Sequence, residues 1–213
     1  MRIHFVLVGE GPSDDGLIPH LENLCIELGA TEVTGIAPDF QRLERPVRRT
    51  VLDKLQAARE LEPTSNLFFV HRDADSRDPS PRYREISTAA SSCNLESAWV
   101  AVVPVQETEA WLLLDEIVIR AVAGHPRGRN PLGLPRPHEV EEVSHPKEKL
   151  KEVLVVASEL SGRRLAKFRK DFPNHRRLLL QRMATGGALS EVNSWIRLRS
   201  ELEQAILGLQ SES

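Results

Sequence analysis

Short apolar runs that alternate with helical patterns are the feature of this sequence that most constrains its fold. The clearest run is Ile3–Val8 (IHFVLV), which is unbroken and rich in β-branched and aromatic residues. A strand that is buried on both faces of a parallel sheet has this continuous apolar pattern. Similar runs cover Asn66–His71 and Ser97–Val105, and a weaker run covers Glu32–Ala37. We predict a β-strand at each of these four places.

Helical spacing of apolar residues fills the intervals between the predicted strands. The first predicted helix ends at Gly29, the second begins at Pro46, and the third covers Arg82–Cys93. A fourth is expected over Glu107–Ala123. The order β-α-β-α-β-α-β-α predicts an α/β fold, in which helices flank a parallel sheet with right-handed crossovers.

The pattern changes after the fourth predicted helix. Gly124–Pro137 contains four prolines and three glycines, which indicates a loop or linker. We therefore predict an α/β domain over residues 1–123, a loop over 124–144, and an all-helical C-terminal extension over 145–213 that packs on the first domain. The predicted helices of the extension are His145–Leu160, Gly162–Lys170, Asn174–Ala184 and Ser190–Leu209.

Composition excludes several classes of protein. The net charge of −3 argues against a protein that coats nucleic acid by bulk charge. No run approaches the roughly 18 consecutive apolar residues that a membrane span needs. The two cysteines, Cys25 and Cys93, form no CxxC pair. A reduced, cytoplasmic protein without a structural zinc site is therefore expected.

Carboxylates follow three of the four predicted strands. In an open parallel sheet, ligands bind beyond the carboxyl ends of the strands, so these side chains are expected to converge on one edge. They are Glu10 and Asp14 after the first strand, Asp73 and Asp75 after the third, and Glu107 and Glu109 after the fourth.

Carboxylates that meet at one point raise each other's pKa unless a cation neutralises them. Oxygen ligands without His or Cys select Mg²⁺, Mn²⁺ or Ca²⁺ over zinc, so all six acids are candidate metal ligands. Such a site would hold a scissile phosphate and generate a nucleophilic hydroxide. Each acid taken alone also has an ordinary explanation, as a loop residue or as a partner of a helix dipole. Their common position at strand ends favours the metal site.

Basic residues that could contact phosphate lie in two clusters. Four arginines fall between residues 42 and 49, and Arg48 and Arg49 among them are candidate phosphate contacts. Arg72, which directly precedes Asp73, is a third candidate. A second cluster lies between residues 163 and 182. No GxxxxGK[ST] motif occurs, so the sequence contains no Walker A nucleotide loop.

Three motifs of the chain resemble those of Toprim-like domains. Val8–Asp14 (VGEGPSD) resembles their EGxTE or EGxSD opening, and His71–Asp75 (HRDAD) resembles their DxD motif. Val103–Leu113 (VPVQETEAWLL) resembles a motif that is typical of a bacterial Toprim-like family of unknown function. The resemblance covers roughly residues 1–115. It implies a compact α/β sheet with Mg²⁺, or Mn²⁺, held by a glutamate and the DxD motif.

The resemblance also implies a role for each matched residue. Glu10 is the candidate general acid/base, and Asp73 and Asp75 are the candidate metal ligands. Glu107 or Glu109 would complete a second metal position, and Glu109 is included with the catalytic candidates. Toprim topoisomerases need a nucleophilic tyrosine, but the only tyrosine here, Tyr83, lies outside any such motif. The nuclease class therefore fits better than the strand-passing class.

The expected activity is Mg²⁺-dependent hydrolysis of phosphodiester bonds in DNA or RNA. Related nucleases often work beside an ATPase in bacterial anti-phage defence, so a separate ATPase partner is expected. One alternative is a binding or regulatory module of an ATPase complex without catalysis of its own. Another is phosphotransfer or phosphate hydrolysis on a nucleotide.

Overall fold

A four-stranded parallel sheet flanked by helices is present in the computed structural model, which describes residues 1–211. The strand order is β2-β1-β3-β4. The predicted α/β class and all four predicted strands are confirmed, and the bounds differ from the prediction by at most a few residues. The strands are β1 (Arg2–Val8), β2 (Glu32–Ile36), β3 (Leu67–His71) and β4 (Ala98–Val102).

Nine α-helices lie within residues 1–211, and no strand follows β4 in that range. This confirms the helical C-terminal part of the chain. None of these helices is both long and apolar enough to cross a lipid bilayer. The helices are α1 (Ile18–Glu27), α2 (Val51–Leu61), α3 (Ser80–Ser92), α4 (Glu109–Leu112), α5 (Glu116–Val122), α6 (Pro146–Ser158), α7 (Gly162–Lys170), α8 (Phe172–Gln181) and α9 (Asn193–Ser211).

The chain forms two compact units. The first unit consists of residues 1–72, 78–103 and 196–211, so it contains the whole sheet, α1 to α3 and most of α9. The second unit consists of residues 73–77 and 104–195, and contains α4 to α8. The domain boundaries at residues 123 and 144 stay predictions.

The core of the first unit explains the unbroken apolar runs. Strand β3 lies between β1 and β4, and all five of its residues are buried. Phe5 of β1 meets Phe69 of β3 edge to face, with ring centroids 4.9 Å apart. Right-handed crossovers place α1 on one face of the sheet and α2 and α3 on the other. A central strand of such a sheet is buried on both faces, so alternation between apolar and polar residues disappears.

The core of the second unit is built around two tryptophans. Trp111 of α4 and Trp195 of α9 are buried and meet edge to face, with ring centroids 5.1 Å apart. The indole Nε1 of Trp111 donates a hydrogen bond of 3.0 Å to Ser194 Oγ. Burial of the indole therefore leaves its polar N–H satisfied.

Two predicted helices differ from the observed ones because of their caps. Helix α2 begins at Val51 and not at Pro46, because the Thr50 side chain accepts a hydrogen bond of 3.1 Å from Asp53 N and starts the helix there. The predicted helix over 107–123 is divided into α4 and α5. Asp115 accepts a hydrogen bond of 3.0 Å from Val118 N and starts the second of them.

Candidate catalytic carboxylates

Asp14 shapes the loop that follows β1. Its Oδ2 atom accepts hydrogen bonds from the backbone N–H groups of Glu10 at 2.8 Å and Gly11 at 3.2 Å. The side chain is buried. A Cβ atom at Gly9 would lie 3.0 Å from both Cβ and Oδ2 of Asp14, so any other residue at position 9 would press on the Asp14 side chain. The loop therefore presents Glu10 from a backbone that its own aspartate holds in place.

His71, at the end of β3, is a further partner of Asp14 Oδ2. Its Nδ1 atom lies 3.2 Å from Asp14 Oδ2, and the two side chains are 1% and 5% exposed. Burial raises the pKa of Asp14, but the hydrogen bond and charge of His71 and the backbone donors of Gly11 and Glu10 outweigh it. The pKa of Asp14 therefore lies well below its usual range.

We expect Asp14 to contribute to the stability of the folded chain at neutral pH. Because its pKa is lower in the folded state, the contribution is complete above the unfolded pKa of about 3.9 and is lost as the pH falls through the folded value. Asp14→Asn should lower the free energy of unfolding at pH 7 by about 2–3 kcal/mol.

The test is urea unfolding between neutral pH and acid. The stability of Asp14→Asn should depend less steeply on pH below about pH 4 than that of the wild type. Glu203→Gln, which changes an exposed acid of α9, is the matched control. Equal pH dependence of Asp14→Asn and wild type would contradict this role of Asp14.

Two cations lie beside Glu10. Arg72 Nε is 3.2 Å from Glu10 Oε1, as an ion pair without hydrogen-bond geometry. Lys54 of α2 donates hydrogen bonds to the backbone oxygens of Gly9 at 2.8 Å and Glu10 at 2.9 Å. Burial and the charge of Arg72 lower the pKa of Lys54, against the opposing effect of Glu10 and another nearby acid. The chain therefore compensates the charge of Glu10 within the first unit.

The four arginines before α2 fall into two pairs. Arg42 forms a salt bridge with Glu62, which directly follows α2, and Arg45 forms one with Glu60 of α2. Arg48 and Arg49 are exposed, and neither forms a salt bridge within residues 1–211. Arg49 also lies close enough to Lys54 to lower the pKa of that lysine. The two arginines that were predicted as phosphate contacts are thus the two of the four that have no acidic partner in the described chain.

The Asp73–Asp75 loop is joined to the segment that follows β4. Asp73 Oδ1 accepts hydrogen bonds of 2.8 Å from both the backbone N–H and the hydroxyl of Thr108. The backbone N–H of Asp75 donates to Gln106 O at 2.8 Å, and Gln106 N donates to Ser76 O at 3.1 Å. The two loops therefore continue the pairing of their strands, and they fix the backbone that carries both aspartates.

Two non-glycine residues of these loops adopt the left-handed conformation. They are Asp75, at φ 53°, and Gln106, at φ 63°. Left-handed residues carry strain, and such strain is concentrated at functional sites. Aspartate and asparagine tolerate this conformation better than alanine does.

We expect Asp75→Asn and Asp75→Ala to differ in stability although both remove the charge. Asp75→Ala should lower the free energy of unfolding by about 1–2 kcal/mol more than Asp75→Asn, because alanine is strained in the left-handed conformation and asparagine tolerates it better. Urea unfolding of the two variants measures the difference. Equal stability of the two variants would show that the backbone at Asp75 relaxes.

The acids of the segment after β4 have partners within the second unit. Glu109 is 1% exposed, and its Oε1 atom lies 2.8 Å from Arg176 Nε and 3.7 Å from Lys147 Nζ. Glu107 Oε2 accepts a hydrogen bond of 3.0 Å from Lys147 N, in the first turn of α6. To bind a metal, Glu109 would have to release Arg176 or share its carboxylate between Arg176 and the metal.

Within residues 1–211, no three His, Cys, Asp or Glu side chains stand together as a preformed metal-binding group. Comparison with protein families, curated proteins and solved structures gave no match. The six acids are divided between the two units, with Glu10 and Asp14 in the first and the other four in the second. Their convergence around one cation stays a prediction.

Several residues of these sites have no signal in the sequence. Lys54 lies more than 40 positions from the loop that it contacts, and Arg176 lies 67 positions from Glu109. Thr108 and His71 do lie within motifs that the sequence singles out, Val103–Leu113 and His71–Asp75. Tyr83, the single tyrosine, lies on α3 with the Arg197 guanidinium over its ring, at 3.4 Å from the centroid.

Proposed function

We propose that the chain is a Mg²⁺- or Mn²⁺-dependent nuclease of the Toprim kind. In this proposal Asp73 and Asp75 bind the cation and Glu10 is the general acid/base. The main support for this proposal is the loop after β3, an inner strand of the sheet that lies between β1 and β4. One of its aspartates is held by two hydrogen bonds from Thr108, and the other has a left-handed backbone. Such a loop keeps the Asp73 carboxylate and the backbone that carries Asp75 in place before any ligand arrives.

The donor set of this loop suits a hard cation. Mg²⁺ is usually bound by one or two carboxylates together with water and phosphate oxygens, and not by a closed cage of protein ligands. Two aspartates are sufficient for such binding. A bound divalent ion would neutralise charge on a scissile phosphate and lower the pKa of a bound water.

The residues around Glu10 support its proposed role. Arg72, whose Nε lies 3.2 Å from Glu10 Oε1, restricts where that carboxylate lies, and a general acid/base needs such positioning. Arg48 and Arg49 are exposed cations of the same unit and would contact the phosphate backbone. These contacts would weaken as the salt concentration rises.

Glu109 has a different role in this proposal. Because it is buried against Arg176, it holds the segment that carries Thr108, and Thr108 in turn orients Asp73. We therefore propose Glu109 as a positioning residue for the metal-binding loop. In the same way, Glu107 stabilises the N-terminus of α6, and Asp14 stabilises the loop that carries Glu10.

The test is incubation of the purified protein with labelled DNA and RNA, in Mg²⁺, in Mn²⁺ and in EDTA. Cleavage is expected with either metal, none in EDTA, and none with Asp73→Asn. Glu203→Gln, an exposed acid of α9, should cleave like the wild type. Cleavage that persists in EDTA or in Asp73→Asn would remove the proposed mechanism.

A binding module of an ATPase complex is the second candidate. The pairing of Glu107 and Glu109 within the protein favours it, since acids with structural partners need no metal. Calorimetric titration with Mn²⁺ separates the two candidates. Absence of Mn²⁺ binding, together with copurification of an ATPase, would favour the module.

For the nuclease we also propose a separate ATPase partner and a part in bacterial defence, because the chain lacks a Walker A loop and resembles nucleases that work in this way.

A further inference from the structure

Helix α7 carries a dense positive charge. Residues 161–182 contain eight arginines and lysines and one aspartate, a net charge of +7 in a chain whose net charge is −3. Five of these cations lie on α7, all are exposed, and none forms a salt bridge within residues 1–211. They are Arg163, Arg164, Lys167, Arg169 and Lys170.

The helix itself does not explain this charge. Cations in the last turn complement the negative end of the helix dipole, which accounts for Lys167, Arg169 and Lys170. Arg163 and Arg164 lie in the first turn, where the dipole opposes a positive charge. Arg163 and Lys167 are also like charges at i and i+4, a spacing that destabilises a helix. An external anion would relieve both effects.

An aromatic pocket lies beside these cations, between α6, α7 and α8. Its volume is about 260 Å³, and Phe168, Phe172 and His175 line it, with Lys151, Glu152 and Arg169 as its charged residues. Phe168 and His175 are stacked, with ring centroids 4.1 Å apart. The volume is below the roughly 300 Å³ at which sites for whole small molecules begin. The pocket therefore suits a single planar ring system better than a whole small molecule.

We propose that α7 and this pocket bind single-stranded nucleic acid, with phosphates on the α7 cations and one unpaired base in the pocket. Cations that follow a backbone, combined with aromatic rings that stack on bases, are the recognition pattern of single strands. A duplex keeps its bases paired and cannot fill the pocket. An acidic peptide would match the charge and leave the aromatic pocket unused.

This inference rests on the proposed nuclease only for its biological role, where it names single strands as the substrate class. Binding itself requires no metal, so it is measured in EDTA, where no metal-dependent cleavage occurs. Cleavage without binding by α7 would overturn this inference alone. Binding without cleavage would overturn the nuclease alone.

The first measurement uses the wild-type protein and fluorescence anisotropy with a labelled strand of about 12 nucleotides. The logarithm of affinity should fall with the logarithm of salt concentration with a slope of about −3, as expected for four or five phosphate contacts to a single strand. An abasic strand of the same length keeps the phosphates and should bind about tenfold more weakly. Equal binding of the abasic strand or of a duplex would overturn the base-in-pocket inference, and so would absence of binding.

The second measurement uses variants with a matched control. Arg163→Gln/Lys167→Gln should reduce the magnitude of the salt slope by about 1.4. Arg127→Gln/Arg129→Gln removes the same charge from an exposed loop and should leave the slope unchanged. Phe168→Leu should abolish the preference for a normal strand over an abasic one, and Phe172→Leu is the second variant if the first fails to fold in a thermal melt. Equal slopes for the two double variants, or competition by polyglutamate as strong as by DNA, would overturn the inference.

Discussion

Asp73→Asn is expected to reduce the rate of metal-dependent cleavage about a thousandfold or more. A bound cation contributes several kcal/mol of charge stabilisation in a transition state, and each 1.36 kcal/mol is a factor of ten in rate. Asparagine keeps an oxygen that can accept both hydrogen bonds from Thr108, so the variant removes the charge and leaves the loop in place. Single-turnover rates at saturating Mn²⁺ measure the effect.

Urea unfolding of Asp73→Asn is the control that its loss of cleavage is not a loss of folded protein. Its urea unfolding curve should overlap closely with that of the wild type, which separates loss of catalysis from loss of fold. Calorimetry should also show weaker Mn²⁺ binding. A cleavage rate close to that of the wild type would mean that Asp73 does not hold the catalytic cation.

The second large effect concerns the buried ion pair of the second unit. Arg176→Met would leave Glu109, which is 1% exposed, with Lys147 as its nearest remaining cation at 3.7 Å. Breaking a buried pair on one side costs about 3–5 kcal/mol, and Lys147, which is more distant and half exposed, replaces Arg176 only in part. For a chain of this length the melting temperature should fall by about 6–20 °C, which differential scanning calorimetry detects.

Two further variants separate pairing from packing. Glu109→Leu/Arg176→Met replaces both charges by apolar groups and should recover most of the lost stability. Arg199→Met breaks a half-exposed pair with Glu27 and should cost at most about 1 kcal/mol. A similar loss for Arg176→Met and Arg199→Met would show that the Glu109 pair contributes no more than a surface ion pair.

The strands were predictable from sequence because burial on both faces leaves an unbroken apolar run. Ile3–Val8 and Asn66–His71 correspond to β1 and β3 within one residue at each end, and Gly162–Lys170 corresponds to α7. Helix starts were less predictable. Pro46 is a favourable first residue of a helix, but the Thr50 cap four residues later determines the start of α2.

The partners of the acids were not predictable, because they are distant in the chain. Asp14 is 57 positions from His71, and Glu109 is 67 positions from Arg176. A position at the end of a strand predicts where a carboxylate lies, but it does not predict which cation of the same chain pairs with that carboxylate. For this reason the sequence predicts Asp14 and Glu109 as metal ligands, whereas in the structure both have partners within the chain.

Anomalous diffraction from a crystal soaked in Mn²⁺ tests the central claim most directly. The account predicts a peak on the order of 2 Å from carboxylate oxygens of Asp73 and Asp75. The same peak should be lost in crystals of Asp73→Asn grown and soaked in the same way. A wild-type crystal with no peak at these aspartates, or with Mn²⁺ bound only at other residues, would contradict a metal-dependent nuclease built on this loop.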